Sequence, residues 1–178
     1  MSQHVIVADY NAAWEQEYFK EEQLIKQILK ENCVEVYHIG STSVPGLAAK
    51  PIIDILPVVK SLQAVDKVSG EFEKAGYEYL GEFGLTGRRY LRKGGDERTH
   101  QIHIFAETDR SNIERHVAFR DYMRTHADDR NKYSELKKEL ASKYPYDIER
   151  YCEGKDFFVK DIEAKALALY KSGKKQGE

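Results

Sequence analysis

One stretch of this chain, HIGSTSVPGLAAKPIIDILPVV at residues 38–59, constrains the fold more than any other. A short strand pattern over residues 34–39 ends at a glycine, and residues 51–59 form a second strand that is almost entirely aliphatic. Small, hydroxylated and turn-forming residues lie between them, so the stretch predicts strand, turn and strand. The second strand carries one charge, Asp54, where a buried strand ordinarily has another aliphatic side chain. Asp54 is therefore either a buried acid with local partners or part of a functional site.

The rest of the chain shows both helical and strand periodicity. Apolar side chains at helical spacing predict helices over residues 14–31, 62–76, 111–126, 128–143 and 155–172. Further strands are predicted over residues 77–80, 88–93 and 98–105. Residues 94–97 join the last two strands as a hairpin, and Pro145 and Gly154 separate the last two helices. These elements predict an α/β (α+β) fold, a mixed β-sheet flanked by helices with a C-terminal helical segment. We expect a single domain over residues 1–172 and a polar tail over residues 173–178.

Composition and charge argue against several classes of protein. The formal net charge is −2 and the isoelectric point is near 6.3, so no overall basic field attracts nucleic acid, and we expect no nucleic-acid partner. No apolar run approaches the ~20 residues of a membrane span, and the first residues lack the pattern of a signal peptide. We therefore expect no membrane association and a cytoplasmic location. Cys33 and Cys152 are far apart and have no partner at zinc-ligand spacing.

The turn between the first two strands has the composition of a phosphate-binding loop. Gly40 lets the backbone bend and approach a ligand closely, and successive amides in such a turn form an anion-binding nest. Hydroxyl groups add hydrogen-bond donors, residues 44–46 suit a type II turn, and a lysine ends the loop. The candidate substrate-binding residues here are Gly40, Ser41, Thr42, Ser43 and Lys50. The alternative is an ordinary connection in which the hydroxyl groups bond to the local backbone.

Asp54 has two interpretations. By strand alternation it shares a face with Ile52, Leu56 and Val58, where an ionised carboxylate is costly unless it is paired or bound to a metal. Lys50 has the same parity, so a Lys50–Asp54 ion pair is one interpretation. The other makes Asp54 a Mg²⁺ ligand, because magnesium sites usually combine one or two carboxylates with the phosphate oxygens of a substrate.

Two arginines outside the turn are candidates for binding phosphate. Arg89 belongs to a basic cluster in the hairpin, and a guanidinium fork matches phosphate oxygens bidentately. Arg120 lies in the predicted helix over residues 111–126, one turn before Arg124. The alternatives are a solvated, charged edge strand around Arg89 and a structural role for Arg120.

Several motifs together resemble those of one known family. HIGSTSVPGLAAKPIIDI resembles the signature of the GrpB family, which has a nucleotidyltransferase-like fold. Further resemblances are VADYNAAW at residues 7–14, HQIHIF at 100–105, FRDYMR at 119–124, and RY and KDFF within 150–158. The resemblance covers nearly the whole chain, and it implies a nucleotidyltransferase-like mixed sheet flanked by helices.

The resemblance also implies roles for some residues and shows one departure. The nucleotidyltransferase superfamily carries a glycine-[glycine/serine] turn, followed on the next strand by an acid–hydrophobic–acid pattern. Gly40 and Ser41 match the turn and Asp54 matches one acid, but Ile52 and Leu56 occupy the positions two before and two after it. The second carboxylate is missing, which argues against two-metal nucleotidyl transfer.

Two histidines in the HQIHIF strand have different expected roles. The resemblance implies that this strand lies beside the Asp54 strand, so that His103 takes the place of a third carboxylate as a base, metal ligand or phosphate contact. The alternative is a partly buried histidine bonded to the backbone. His100 has the opposite parity, which disfavours a zinc site built from His38, His100 and His103.

Three functions remain open from the sequence. The first is a nucleotide- or phosphate-binding protein that acts as a Mg²⁺-dependent nucleotidyltransferase, with Asp54 and His103 as catalytic residues and Asp54 as the metal ligand. The second is an inactive binding module that keeps the phosphate-binding turn without the second carboxylate. A metal-dependent hydrolase using the histidines is a weaker third interpretation. The expected partner is a small nucleotide or phosphate ligand, and the sequence does not indicate the oligomeric state.

Overall fold

A computed structural model describes residues 4–176 of the chain. These residues form the helices α1 Ala13–Leu29, α2 Leu62–Lys67, α3 Ser69–Lys74, α4 Arg110–Thr125, α5 Ala127–Lys143 and α6 Ile148–Gln176. They also form the strands β1 Cys33–Ile39, β2 Ile53–Val59, β3 Glu78–Tyr79, β4 Arg88–Lys93 and β5 His100–Ala106. The predicted order of helices and strands is confirmed, apart from one helix that is divided in two.

The described residues group into two compact units, each made of separate segments. Unit 1 comprises residues 4–11, 40–51 and 114–176, and unit 2 comprises residues 12–39 and 52–113. The expectation of a single domain over residues 1–172 stays a prediction.

Unit 2 is built on a mixed five-stranded sheet in the order β1-β2-β5-β4-β3. β1 and β2 are antiparallel, β2 and β5 are parallel, and β4 is antiparallel to both β5 and β3. β2 lies in the interior, and its residues other than Asp54 are buried, as its aliphatic sequence predicts. Helix α1 turns its regularly spaced apolar side chains inward, and the Tyr18 hydroxyl donates to the Val36 carbonyl at 3.0 Å. The predicted mixed sheet flanked by helices is therefore confirmed.

The helix predicted over residues 62–76 is divided at Val68. Val68 has φ −106° and ψ 13°, which lie outside the helical region, so α2 ends before it and α3 begins after it. The apolar stripe continues across the break, because Val65 and Phe72 are both fully buried. Gly70 follows closely, and its low helix propensity weakens this part of the helix.

Unit 1 is helical, and residues 40–51 pack into its core. Val44 and Leu47 are fully buried in a cluster that includes Tyr133 of α5 and Ile162 of α6. A smaller cluster joins Val5 to α5 and α6. Within residues 4–176, no helix has the length and apolar character needed to cross a membrane.

The last helix begins earlier than its periodicity predicts. α6 starts at Ile148, and Gly154, which the pattern indicated as a break, lies inside it. A Cβ atom at Gly154 would lie 2.4 Å from Leu140 Cδ2, so this glycine serves the close packing of α6 on α5. The predicted start at residue 155 is therefore wrong. At its other end α6 runs to Gln176, into the predicted tail, and residues 177–178 lie outside the described residues.

Candidate functional site

The loop in unit 1 begins with the GSTS turn, residues 40–43. Gly40 has φ 72° and ψ −174°, a conformation that disfavours any residue with a side chain. One turn of 3₁₀ helix follows, closed by a hydrogen bond from the Val44 amide to the Ser41 carbonyl at 3.2 Å. Gly46 has φ +86°, and the Leu47 amide donates to the Val44 carbonyl, as the predicted type II turn requires.

The three hydroxyl groups of the GSTS turn differ in accessibility. Thr42 and Ser43 are buried, and the Ser43 hydroxyl donates to the Gly40 carbonyl, which closes the turn on itself. Ser41 is half-buried and keeps part of its surface in solvent. Of the three predicted hydroxyl donors, Ser41 is the one that the structure places at the surface. Thr42 and Ser43 shape the turn from inside.

A buried lysine lies directly behind Ser41. Lys137 of α5 is 2% exposed, and its Nζ donates to Ser41 Oγ at 2.8 Å. The ammonium also lies 4.3 Å from the centroid of the Tyr133 ring. Among residues 4–176, no carboxylate forms an ion pair with Lys137. Burial, together with the charges of Lys155 and Lys50, holds the pKa of the Lys137 amine well below its usual value.

Two further lysines lie near this amine, around one tyrosine. The Nζ atoms of Lys50 and Lys155 lie 5.5 Å and 5.0 Å from the centroid of the Tyr151 ring. Tyr151 is fully buried, and its hydroxyl has no hydrogen-bond partner among residues 4–176. We call Ser41, Lys50, Lys137 and Lys155 the lysine cluster. The charges of Lys50 and Lys155 disfavour a charged amine on Lys137, and an anion would offset that effect.

An arginine of α4 holds the GSTS turn from another side. The Nε and Nη2 atoms of Arg124 donate to the Ser43 carbonyl at 3.0 Å and 2.9 Å. Arg120, the residue predicted to bind substrate, donates to its neighbour Asp121 at 2.9 Å. Arg124 is therefore the α4 arginine that the structure places on the turn.

Unit 2 contains a separate polar group around Asp54. The strands β2 and β5 are neighbours, and the His103 Nε2 atom lies 3.2 Å from Asp54 Oδ1, so the predicted adjacency of the two strands is confirmed. With the Gln101 amide oriented to satisfy its neighbours, its nitrogen donates to Asp54 Oδ1 at 3.0 Å and its oxygen accepts from Arg98 Nη1 at 3.2 Å. We call Asp54, Gln101 and His103 the Asp54 group.

The Asp54 group does not fit a two-metal centre. It offers one carboxylate, and the residues two before and two after Asp54 are Ile52, which precedes β2, and the fully buried Leu56. Within residues 4–176, no three His, Cys, Asp or Glu side chains converge as a metal-binding group. Two-metal chemistry needs bridging carboxylates, so the departure seen in the sequence persists in the structure.

Two other residues considered in the sequence lie away from the Asp54 group. Arg89 donates to both carboxylate oxygens of Asp66, at 2.8 Å and 3.1 Å. Tyr90, the next residue of β4, pairs with His103 of β5, so Arg89 points to the opposite face of the sheet. The hydrogen bonds from Arg89 lower the pKa of the Asp66 carboxyl. His100 is buried on the other face of β5, where burial lowers the pKa of its imidazole. The structure does not bring Arg89 to the Asp54 group.

Sequence reasoning missed the two residues that hold the GSTS turn most directly. Lys137 follows Tyr133 and precedes Leu140 at helical spacing, so it is a lysine on the apolar stripe of α5. This position could have indicated a special role for Lys137, since a lysine on the buried face of a helix is rare. The sequence offered less indication of a role for Arg124, because arginines one turn apart are common on solvent-exposed helices.

Comparison with known proteins places the chain within one family of sequences. The profile described as GrpB protein matches residues 4–165. A crystal structure of conserved protein GrpB from Enterococcus faecalis is 53% identical, with a TM-score of 0.90, over 93% of this chain and 99% of that one. The UPF0157 protein YqkA of Bacillus subtilis (strain 168) is 42% identical over 157 residues, 88% of this chain and 46% of YqkA. The chain thus spans less than half the length of that relative.

A more distant likeness concerns the fold alone. The MgGTP-bound structure of the Cid1 poly(U) polymerase has a TM-score of 0.52 and 19% identity, over 76% of this chain and 44% of that one. This likeness confirms the nucleotidyltransferase-like fold that the motifs predict.

Proposed function

The chain belongs to the GrpB family and has a nucleotidyltransferase-like fold, and from this premise we propose that it binds a phosphate-bearing small molecule at the lysine cluster. A nucleotide is the expected ligand. Ser41 and the amides of the GSTS turn would contact the phosphate oxygens, and Lys50, Lys137 and Lys155 would balance their charge.

The observation that carries this proposal is the buried amine of Lys137. A buried ammonium without a carboxylate partner is costly, and here the charges of Lys50 and Lys155 add to that cost. A phosphate group beside Ser41 would supply the missing negative charge and would raise the pKa of the Lys137 amine again. A purely structural lysine would gain nothing from the two neighbouring lysines.

Transfer chemistry is a further step of the proposal and rests on unit 2. Asp54 would hold a single Mg²⁺, and His103 would accept or donate a proton through Nε2. The second candidate, a binding module without transfer activity, is favoured by Ile52 and Leu56, which supply no oxygen ligand beside Asp54. Binding is the function that the geometry supports best.

The first test is thermal unfolding in the presence of inorganic phosphate, tripolyphosphate, nucleotides and coenzyme A precursors, each with and without Mg²⁺. A ligand at 100 times its Kd stabilises by ~2.7 kcal/mol, which for this chain length raises Tm by roughly 5–10 °C. Lys137→Gln should abolish the shift, whereas Lys132→Gln, at an exposed lysine of the same helix, should keep it. An unchanged Tm across the panel, or equal shifts in the two variants, would contradict the proposal.

The metal part has its own test. If Asp54 holds Mg²⁺, calorimetric titration with Mg²⁺ alone should show binding to the wild-type protein and none to Asp54→Asn. A turnover assay with wild-type protein and any ligand found in the panel then separates transferase from binding module. Equal Mg²⁺ binding by wild-type protein and Asp54→Asn would show that Asp54 is not the metal ligand.

A further inference from the structure

Unit 2 exposes a phenylalanine on the loop between β3 and β4. Phe83 is 54% exposed and has φ 47°, a left-handed conformation that is uncommon for a bulky residue. Exposure of an aromatic ring and strain of its backbone both oppose folding, and such strain is concentrated at ligand clamps and active sites.

Hydrogen bonds fix this loop in place. The Glu82 carboxylate accepts from the Gly87 amide at 2.6 Å. Arg88 donates through Nη2 to the Phe83 carbonyl at 2.9 Å and through Nε to the Glu82 carbonyl at 3.3 Å. The position of the Phe83 ring is therefore set by its backbone, although most of the ring surface lies in solvent.

The Phe83 ring stacks on a second aromatic ring. Its centroid lies 5.2 Å from that of Tyr90, with 15° between the two planes. The Arg92 guanidinium carbon lies 5.7 Å from the Phe83 centroid, and that of Arg88 lies 5.0 Å from the Tyr90 centroid. The structure thus presents a nearly parallel aromatic pair flanked by two guanidinium groups.

This pair leads to the Asp54 group. The rings of Tyr90 and His103 are 5.4 Å apart, and His103 contacts Asp54 at 3.2 Å. Arg98 donates to Gln101 of this group through Nη1, and its Nε atom is buried and has no hydrogen-bond partner among residues 4–176. An exposed ring therefore begins a row of aromatic side chains that ends at a carboxylate, with an unsatisfied donor nearby.

We infer that Phe83 is a stacking platform for a nucleobase, so that unit 2 has a nucleoside-binding site of its own. Every nucleobase has a flat π-face that stacks on an aromatic ring regardless of its hydrogen-bonding edge, and nearby arginines strengthen such stacks. This site goes beyond the phosphate-binding function proposed for unit 1 and does not depend on it.

The test uses 2-aminopurine riboside, whose fluorescence falls when its base stacks on an aromatic ring. The probe carries no phosphate, so the lysine cluster does not contribute to its binding. Titration with wild-type protein should quench the fluorescence saturably. Phe83→Ala should weaken binding by roughly tenfold or more, as expected for the loss of one stacked base. Phe83→Trp should restore it.

Two controls separate stacking at Phe83 from nonspecific apolar binding. Phe157→Ala removes another exposed phenylalanine, 84% exposed on α6, and should leave the titration unchanged. Phe83→Leu keeps an apolar side chain of similar size without an aromatic ring and should bind as weakly as Phe83→Ala. Absence of quenching by wild-type protein, full binding by Phe83→Leu, or equal loss in Phe157→Ala would each overturn the inference. Circular dichroism of each variant confirms that the fold is intact.

Discussion

Lys137 shows most clearly how a single residue departs from the rules of its element. Its neighbours on the buried stripe of α5 are Tyr133 and Leu140, and a residue at this position ordinarily contributes apolar packing. The lysine instead brings an amine to Ser41, 96 positions earlier in the chain. The phosphate ligand proposed above would offset the cost of burying this amine.

The pH dependence of stability should reveal the state of this amine. In the unfolded chain Lys137 keeps its proton to a pH near 10.5, whereas its native pKa is lower. Between these two pKa values the unfolded state binds more protons than the native state. The contribution of Lys137 to the free energy of unfolding therefore increases as pH rises and becomes constant above the pKa of the unfolded chain. Lys137→Met should therefore be more stable than wild type at low pH, by on the order of 1 kcal/mol.

Urea unfolding of both proteins from pH 5 to 10 measures this difference, since all other titrating groups cancel. The difference in free energy of unfolding between Lys137→Met and wild type should become smaller as pH rises. Lys132→Met, at an exposed position of α5, should stay within about 0.5 kcal/mol of wild type throughout. A constant difference between Lys137→Met and wild type would mean that the amine titrates normally.

At the scale of elements, helix α6 shows that a glycine can either end a helix or allow two helices to pack closely. Glycine near a predicted boundary usually marks the end of a helix, and Gly154 lies between two helical patterns. The structure instead uses it to let α6 approach Leu140 of α5. Sequence cannot separate the two meanings, because both place a glycine among polar residues and differ only in what lies opposite.

Two glycines of α6 allow a matched test. Gly154→Ala should destabilise the protein by up to about 2 kcal/mol, since the overpacking cost of ~1–3 kcal/mol exceeds the gain of ~1 kcal/mol in helix propensity. Gly173→Ala has open space around the new methyl group and should stabilise by up to ~1 kcal/mol. Chemical denaturation of both variants measures the difference, and equal stabilisation by both would show that α6 does not pack on Leu140 as described.

At the scale of the whole molecule, the chain passes repeatedly between its two units. The most informative motif, continuous in sequence, is divided by this arrangement: residues 40–51 belong to unit 1, whereas Asp54 belongs to unit 2. The motif therefore combines a loop that packs among helices and a strand at the centre of a sheet. Each part is stabilised by its own core.

Hydrogen exchange should follow the position of each strand within unit 2. β2 and β5 are interior strands with buried side chains, so their amides should exchange slowest. β3 has two residues and lies at the edge of the sheet, so its amides should exchange close to the rate of loops. Exchange followed by mass spectrometry or NMR measures this order. Protection of β3 equal to that of β2 would contradict the described strand order.

The family and most local elements could be predicted from the sequence, apart from the break at Val68 and the start of α6 at Ile148. The periodicity of apolar side chains depends on neighbours along the chain, so strands, helices and the turn at Gly40 could be predicted, as could the strand positions of Asp54 and His103. Which side chains meet across the chain became visible in the structure alone. Lys137 and Arg124 reach the GSTS turn from more than 80 residues away, and Arg89 turns to Asp66 instead of the Asp54 group. Such contacts depend on helix packing and on which face of a strand is covered, and no local pattern encodes either.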